Sequence, residues 1–220
     1  MSPPAPPAKG RVLPLVMLLA FVALGIGWRS WLHWRRYGAT GFALFGGGSR
    51  LRHARNALLL PFALVLFAQA AVALMSPALI VPIDTRALGA GWQTAGAIVC
   101  GVGLVLMLGA QLRLGASWRI GIEEEARPGL VTGGMYRWCR NPIYAWWMLW
   151  MDGYVLLLPT WLSILGLLAW ASAMRVAVRD EERYLLATYG DEYRAYASRV
   201  GRFVPGLGLW RMPTSSMSAE

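Results

Sequence analysis

Two short polar stretches hold the side chains best suited to chemistry: residues 130–144, LVTGGMYRWCRNPIY, and residues 180–193, DEERYLLATYGDEY. In the first, Gly133 and Gly134 let the backbone turn and let another group approach closely. Asn141-Pro142 forces extended backbone just where a helix can begin, so a helix starting at Pro142 opens onto the loop. Its free N–H groups and positive dipole end favour a carboxylate or another anion. Arg137 and Arg140 add cationic forks, and Glu181 and Glu182 supply the anion a ligand ammonium needs. A cationic pocket facing paired acids suits a zwitterion such as an amino-acid headgroup. Each charge taken singly reads as a basic loop or a solvated face beside a membrane; the constellation taken together reads as a site.

Other reactive groups are few. Cys139 sits beside Arg140, which lowers a thiol pKa, but no histidine lies nearby in sequence to serve as its base. Cys100 lies in an apolar block, so the two cysteines imply neither a disulfide framework nor a metal knuckle. With His33 and His53 the only histidines, the expectation is chemistry without a metal. Asp152 is the one acid in a long apolar block: a functional residue if buried, a solvated turn if it lies at an external hairpin tip. Arg175 and Arg179, at the mouth of that hairpin, are candidates for meeting an anionic acceptor, although anchoring at the membrane surface explains them as well.

The elements that must position these groups are membrane helices. Of 220 residues, 57% are hydrophobic and only 15% charged, and the mean hydropathy is +0.46, too apolar for an ordinary soluble domain. The formal charge of +10 is almost wholly arginine, concentrated in loops. No basic face interleaved with stacking aromatics points to nucleic acid; anionic lipid headgroups are the expected partner.

Residues 1–11 form a proline-rich tail, and 12–112 carry three spans at about 12–28, 57–80 and 92–112. Between the first two runs a loop with Arg29, Arg35, Arg36, Arg50, Arg52 and Arg55 and no acid, which makes it cytoplasmic. Trp28, Trp31 and Trp34 recur every third residue, an aromatic belt on a helical face lying in the interface. Gly46–Gly48 mark a bend, and the loop carrying Asp84 and Arg86 is external. Residues 113–205 form the ligand-binding region, with Glu123–Glu125 as an acidic island. Here 144–177 make a tight apolar hairpin broken by Gly153 and Pro159, and an amphipathic cytoplasmic helix runs from Val178. Residues 206–220 are a tail. The expected class is an all-α integral membrane protein with about five membrane helices, the amino terminus outside, and both polar stretches inside.

The pair of stretches is similar to the carboxy-terminal signature of the isoprenylcysteine carboxyl methyltransferase and phospholipid methyltransferase superfamily. That signature is LVT-x-G-x-Y-x-x-x-R-H-P-x-Y-x-G followed by E-E-x-x-L and F/Y-G-x-E-Y. The chain carries Leu130, Val131, Thr132, Gly134, Tyr136, Arg140, Pro142 and Tyr144 of the first run, and Glu181, Glu182, Leu185, Tyr189, Gly190, Glu192 and Tyr193 of the second. It departs at Asn141, where the family has histidine, and at Trp146, where it has glycine. The similarity spans roughly residues 112–205.

It implies an enzyme in the bacterial cytoplasmic membrane that uses S-adenosylmethionine to methylate a lipophilic or small acceptor at a carboxylate, amine or thiol. Leu130, Val131, Tyr136, Asn141, Pro142, Ile143, Tyr144 and Glu182 would contact that cofactor. Arg140 and Glu181 would be the catalytic pair, with Arg140 orienting a carboxylate. The alternatives are an NADPH-dependent membrane reductase of the sterol-reductase type and a non-catalytic scaffold of the same fold. The acceptor pocket is expected among the first three spans, where no motif is legible.

Overall fold

The computed structural model describes residues 8–43, 53, 56–76, 79, 83, 91–121 and 129–210. The Gly46–Gly48 bend, the Asp84–Arg86 loop, the Glu123–Glu125 island and most of both tails lie outside them.

The chain begins with one continuous rod: α1 (Ala8–Ala20), a π-helical segment (Phe21–Trp28) and α2 (Arg29–Tyr37). The span expected to close at Trp28 therefore runs on to Tyr37, and no separate helix turns along the membrane surface. Nothing in WRSWLHWRRY stops a helix until Gly38. There a left-handed residue with φ 74° ends it, its N–H bonding back to the Trp34 carbonyl. Trp28, Trp31 and Trp34 do line one exposed side.

Next come α3 (Leu59–Met75) and α4 (Trp92–Leu114), then the apolar hairpin of α5 (Pro142–Leu157) and α6 (Trp161–Ala197). The break between its arms is at Pro159 alone. Thr160 caps α6 by accepting the Ser163 N–H at 3.0 Å. Gly153, expected to help break the block, sits inside α5. A Cβ there would lie 2.6 Å from the Cys100 nitrogen, so this glycine lets two helices touch. Gly96 and Gly103 of α4 return the contact, and Asp152 beside Gly153 is exposed within the same helix.

Arg11–Tyr37, Trp92–Ser117 and Trp161–Ala197 are each long and apolar enough to cross a membrane. The other two apolar helices, α3 and α5, have 17 and 16 residues. The protein is thus mostly helical and membrane-embedded as expected, with five apolar helices among the described residues, three of them long enough to cross a membrane unaided.

The core is aromatic. Trp147 lies 5.0 Å from Phe21 and 4.1 Å from Trp170 between ring centroids, and Trp150 lies 4.6 Å from Phe21. At one end of the bundle, Ile83 N–H bonds to the Pro159 carbonyl at 2.9 Å and Gln69 donates to Thr160 and Ser163. The opposite end gathers the basic groups. Buried Arg29 of α2 donates to the carbonyls of Gln111 and Gly115 at 3.2 and 3.3 Å, meeting the negative end of the α4 dipole. A two-residue parallel pair, β1 (Phe42–Ala43) with β2 (Ile120–Gly121), ties the following turn to the same place.

Candidate functional site

The apolar run of α6 ends near Val178, and the charged turn that follows carries Glu181 and Glu182 to the basic end of the bundle. The 130–144 loop meets it there. Proline at the first position fixes where α5 begins. Asn141 precedes it at φ −123° and ψ 56°, neither helical nor the extended backbone expected, and its side chain does not cap the helix. Its amide donates instead to Glu182 Oε1 and to the Arg202 carbonyl, both at 3.2 Å.

Arg140 makes the tightest set of contacts in the protein. Its Nε donates to Glu182 Oε1 at 3.1 Å and its Nη2 reaches the same oxygen at 3.0 Å. Nη1 donates to the carbonyls of Ala197 and Val200, and Nη2 also to that of Gly208 at 3.0 Å. Four of these contacts are hydrogen bonds, so every nitrogen of the guanidinium is bound within the protein. Glu182 is equally committed: Arg202 closes on its other oxygen, Oε2, from Nε at 3.0 Å and Nη2 at 2.6 Å. Glu182 and Arg140 are 2% and 6% exposed, so the cluster is a buried clasp.

The segment after α6 is held across the loop by the same groups. Arg140 N–H bonds to the Gly201 carbonyl at 2.9 Å and Asn141 N–H to that of Arg202 at 3.1 Å. Glycine at 201 is required by the turn that follows it, where a Cβ would run into the carbonyl oxygens of Val204 and Leu207. Gly190, at φ 50° and ψ −121°, bends α6 so that Tyr193 and Tyr196 turn back over the loop. The Tyr196 hydroxyl donates to the Tyr136 carbonyl. With Ala197 and Val200 these tyrosines form a small core against which Leu130 and Leu185 pack.

The predicted residues fall into three groups. Arg140, Asn141, Pro142, Tyr136 and Glu182 are buried and bound into the protein itself; the Tyr136 hydroxyl reaches the Ala110 carbonyl at 3.4 Å. Leu130, Val131, Ile143, Tyr144 and Glu181 are half-buried around them. Glu181 accepts a hydrogen bond from Tyr144 and feels the charge of Arg119. Arg175 and Arg179 are exposed on α6, and none of the clasp's contacts reaches them. Arg137 is likewise outside, over the Trp138 ring at 5.1 Å. Trp146, where the family signature has glycine, packs against the helical core.

Two arginines escaped the sequence reading. Arg202 lies within the 113–205 region but belongs to neither motif. Arg113, in the last turn of α4, lies over the glycine pair: a Cβ on Gly133 would be 2.5 Å from its Nη2. Arg113 is exposed, and it is what the two glycines admit.

Burial pushes the Cys139 thiol up, outweighing the lowering by the Asn141 backbone N–H and by Arg140. A raised pKa means less thiolate at a given pH, so Cys139 is not an activated nucleophile. Maleimide at pH 8 should label it about tenfold more slowly than a cysteine at exposed position 132. Equal rates would contradict this. Burial likewise raises the Tyr136 hydroxyl, which stays protonated as a donor.

The groups left outside the clasp are the half-buried carboxylate of Glu181, the half-buried apolar side chains of Leu130, Val131 and Ile143, and the exposed guanidinium of Arg113.

Comparison with known proteins gives the following. Residues 92–192 match the phospholipid methyltransferase family. A protein-S-isoprenylcysteine O-methyltransferase of Dictyostelium discoideum is 31% identical over 116 residues, 51% of this chain and 48% of the relative. One from Tribolium castaneum is 32% identical over 114 residues, 50% of this chain and 40% of the relative. The chain thus spans about half the length, or less, of these relatives. The solved structure of the eukaryotic intramembrane Ras methyltransferase, isoprenylcysteine carboxyl methyltransferase, superposes with a TM-score of 0.59 at 20% identity. That match covers 92% of this chain and 70% of the other, a likeness of fold.

Proposed function

From the premise that the chain belongs, through residues 92–192, to the isoprenylcysteine carboxyl methyltransferase and phospholipid methyltransferase superfamily, we propose that it is a membrane-embedded methyltransferase using S-adenosylmethionine. The single observation that carries this reading is the meeting of the Arg140-Asn141-Pro142 corner with Glu182, 40 residues further on in sequence from Pro142, at the basic end of the bundle.

Within that reading Arg140, Asn141, Glu182 and Arg202 form the frame, and the half-buried residues meet the ligand. Glu181, steadied by the Tyr144 hydroxyl, takes the cofactor's ammonium; Arg113 takes its carboxylate; Leu130, Val131 and Ile143 wall its apolar part. When bound, the cofactor supplies an electrophilic methyl group on a sulfonium. The protein's task is then to align the acceptor and exclude water, which needs no covalent intermediate. The acceptor is a lipophilic or small molecule bearing a carboxylate, amine or thiol. Arg175 and Arg179, on the exposed side of α6, are assigned to its anionic group.

Binding of labelled S-adenosylmethionine to the purified chain, with NADPH as competitor, tests the assignment. Glu181→Gln should weaken binding at least about tenfold, the cost of one charge-assisted hydrogen bond. Binding of NADPH with no binding of S-adenosylmethionine would sink it. Comparing lipid and thiol metabolites by mass spectrometry with and without the protein then identifies the acceptor.

The basic end is assigned to the cytoplasmic side of the bacterial cytoplasmic membrane, from the arginine-rich loops. Membrane-impermeant labelling from outside should modify Asp84→Cys and spare Ala195→Cys; the reverse pattern inverts the topology.

A further inference from the structure

We propose that the recess where α2 meets the end of α4 is a second binding site, one for an oxyanion carried by an amphiphile at the membrane surface. Arg29, Ser30, His33 and Gln111 are all more than nine-tenths buried there. Each leaves one polar atom without a hydrogen-bond partner: Arg29 Nε, Ser30 Oγ, His33 Nδ1 and Gln111 Oε1. Such an atom loses its water without gaining a partner, and several together call for a group that completes them.

Trp118 joins Arg29 and His33, Arg29 reaches Gln111, and Ser30 follows Arg29 directly on the helix. The Arg29 guanidinium lies 4.3 Å above the Trp118 ring, and His33 meets it edge-on at 5.5 Å. Gln111 holds the Gly25 carbonyl through Nε2 at 3.3 Å while its own backbone carbonyl takes Arg29. Arg29 and Gln111 are therefore anchored by one end and unpaired at the other. Gly41 covers the cluster. A Cβ there would come within 2.6 Å of Trp118 and 3.3 Å of His33, and the cover is secured by Ile120 N–H to the Gly41 carbonyl at 2.7 Å.

The helix is built to make this arrangement. Phe21, Gly25, Arg29 and His33 are buried at every fourth residue. An α-helix of 3.6 residues per turn would carry such a series steadily round its axis. The wider turns of the π segment oppose that drift and keep Arg29 and His33 facing inward. The tryptophans at 28, 31 and 34 stay outside.

The open atoms define the occupant. Arg29 Nε only donates, Ser30 and His33 can donate, and Gln111 Oε1 only accepts. Arg36 and Arg119 add positive charge, and no carboxylate among the described residues pairs with Arg29. An anionic oxygen group retaining one hydroxyl, such as a monoprotonated phosphate, satisfies all four; a carboxylate satisfies the donors. The exposed tryptophan belt on the same helix puts the recess at headgroup depth. A phospholipid headgroup and a lipophilic carboxylate both carry this chemistry. The inference does not rest on methyl transfer.

The chain has two histidines, so imidazole NMR of histidine-labelled protein in phosphatidylcholine nanodiscs observes His33 directly, with His53 as internal reference. Titration with dioctanoyl phosphatidic acid or with dodecanoate should shift the His33 signal saturably and leave His53 in place. Arg29→Gln should weaken the response about tenfold, as loss of a charge-assisted bond requires. Because Arg29 also joins two helices, Ser30→Ala provides a milder variant and should weaken the response severalfold. A response to phosphatidic acid alone assigns the phosphate headgroup; a response to dodecanoate as well assigns oxyanions in general. No saturable shift with either probe, an equal shift of His53, or an unchanged response in Ser30→Ala would overturn the proposal. Titration with S-adenosylmethionine reports the other site separately.

Discussion

Replacing Glu182 with glutamine should destabilise the protein by about 3–5 kcal/mol, the range for removing one partner of a buried ion pair. The carboxylate is 2% exposed and accepts from Arg140, Asn141 and Arg202. Without its charge, the fully buried guanidinium of Arg140 keeps only carbonyl partners and faces a second cation at Arg202. The segment 198–210, held across the loop largely by these groups, should loosen with them. Thermal unfolding in detergent, followed by a thiol-reactive fluorophore that reports exposure of Cys100 and Cys139, measures the change. Glu181→Gln should behave in the opposite way, with stability within about 1 kcal/mol of the parent, since half-buried groups outside a network seldom cost more, but with weakened S-adenosylmethionine binding. If the two variants lose stability equally, the division between frame and ligand-facing acid is wrong.

That division marks what the sequence disclosed. The two motifs and the apolar hairpin between them were legible, because a proline-started helix and a charged turn at the far end of a return helix must come back to one side of the bundle. That Arg140 binds its own chain through all three guanidinium nitrogens was not legible. Three of its acceptors are backbone carbonyls at Ala197, Val200 and Gly208, and a carbonyl has no signature in sequence. Arg202 was hidden for a related reason: only the bend at Gly190 swings the chain far enough for it to meet Glu182.

The first helix was misread at its end. Tryptophans every third residue gave a clear pattern for an exposed belt, whereas Arg29 and His33 turn inward through a π segment marked by nothing more than Gly25 and Gly27. Intrinsic propensity marks the glycine at 153 as a breaker. Packing decided otherwise, since close approach of a neighbouring helix holds it in α5.

Gly153→Val should therefore be the most damaging substitution outside the clasp. The first atom added meets the Cys100 nitrogen at 2.6 Å, the Cys100 sulfur at 2.8 Å and the Gly96 carbonyl at 2.9 Å. Two of these are backbone atoms that cannot rotate away. The seam is reciprocal, for a Cβ at Gly103 would sit 2.8 Å from the Trp150 nitrogen and 2.9 Å from the Trp146 oxygen. With both sides fixed, α5 must slide or lift off α4, at a cost above the roughly 1–3 kcal/mol typical of overpacking. The displacement would be carried to the other end of α5, where Asn141 and Pro142 meet Glu182. Gly153→Val should thus lose both thermal stability and S-adenosylmethionine binding, although it lies eleven residues from Pro142 along the helix. Gly101→Ala is the control: no atom lies within 4 Å of its added methyl group, and both properties should be unchanged. Normal binding by Gly153→Val would show that the clasp does not depend on the α4–α5 seam.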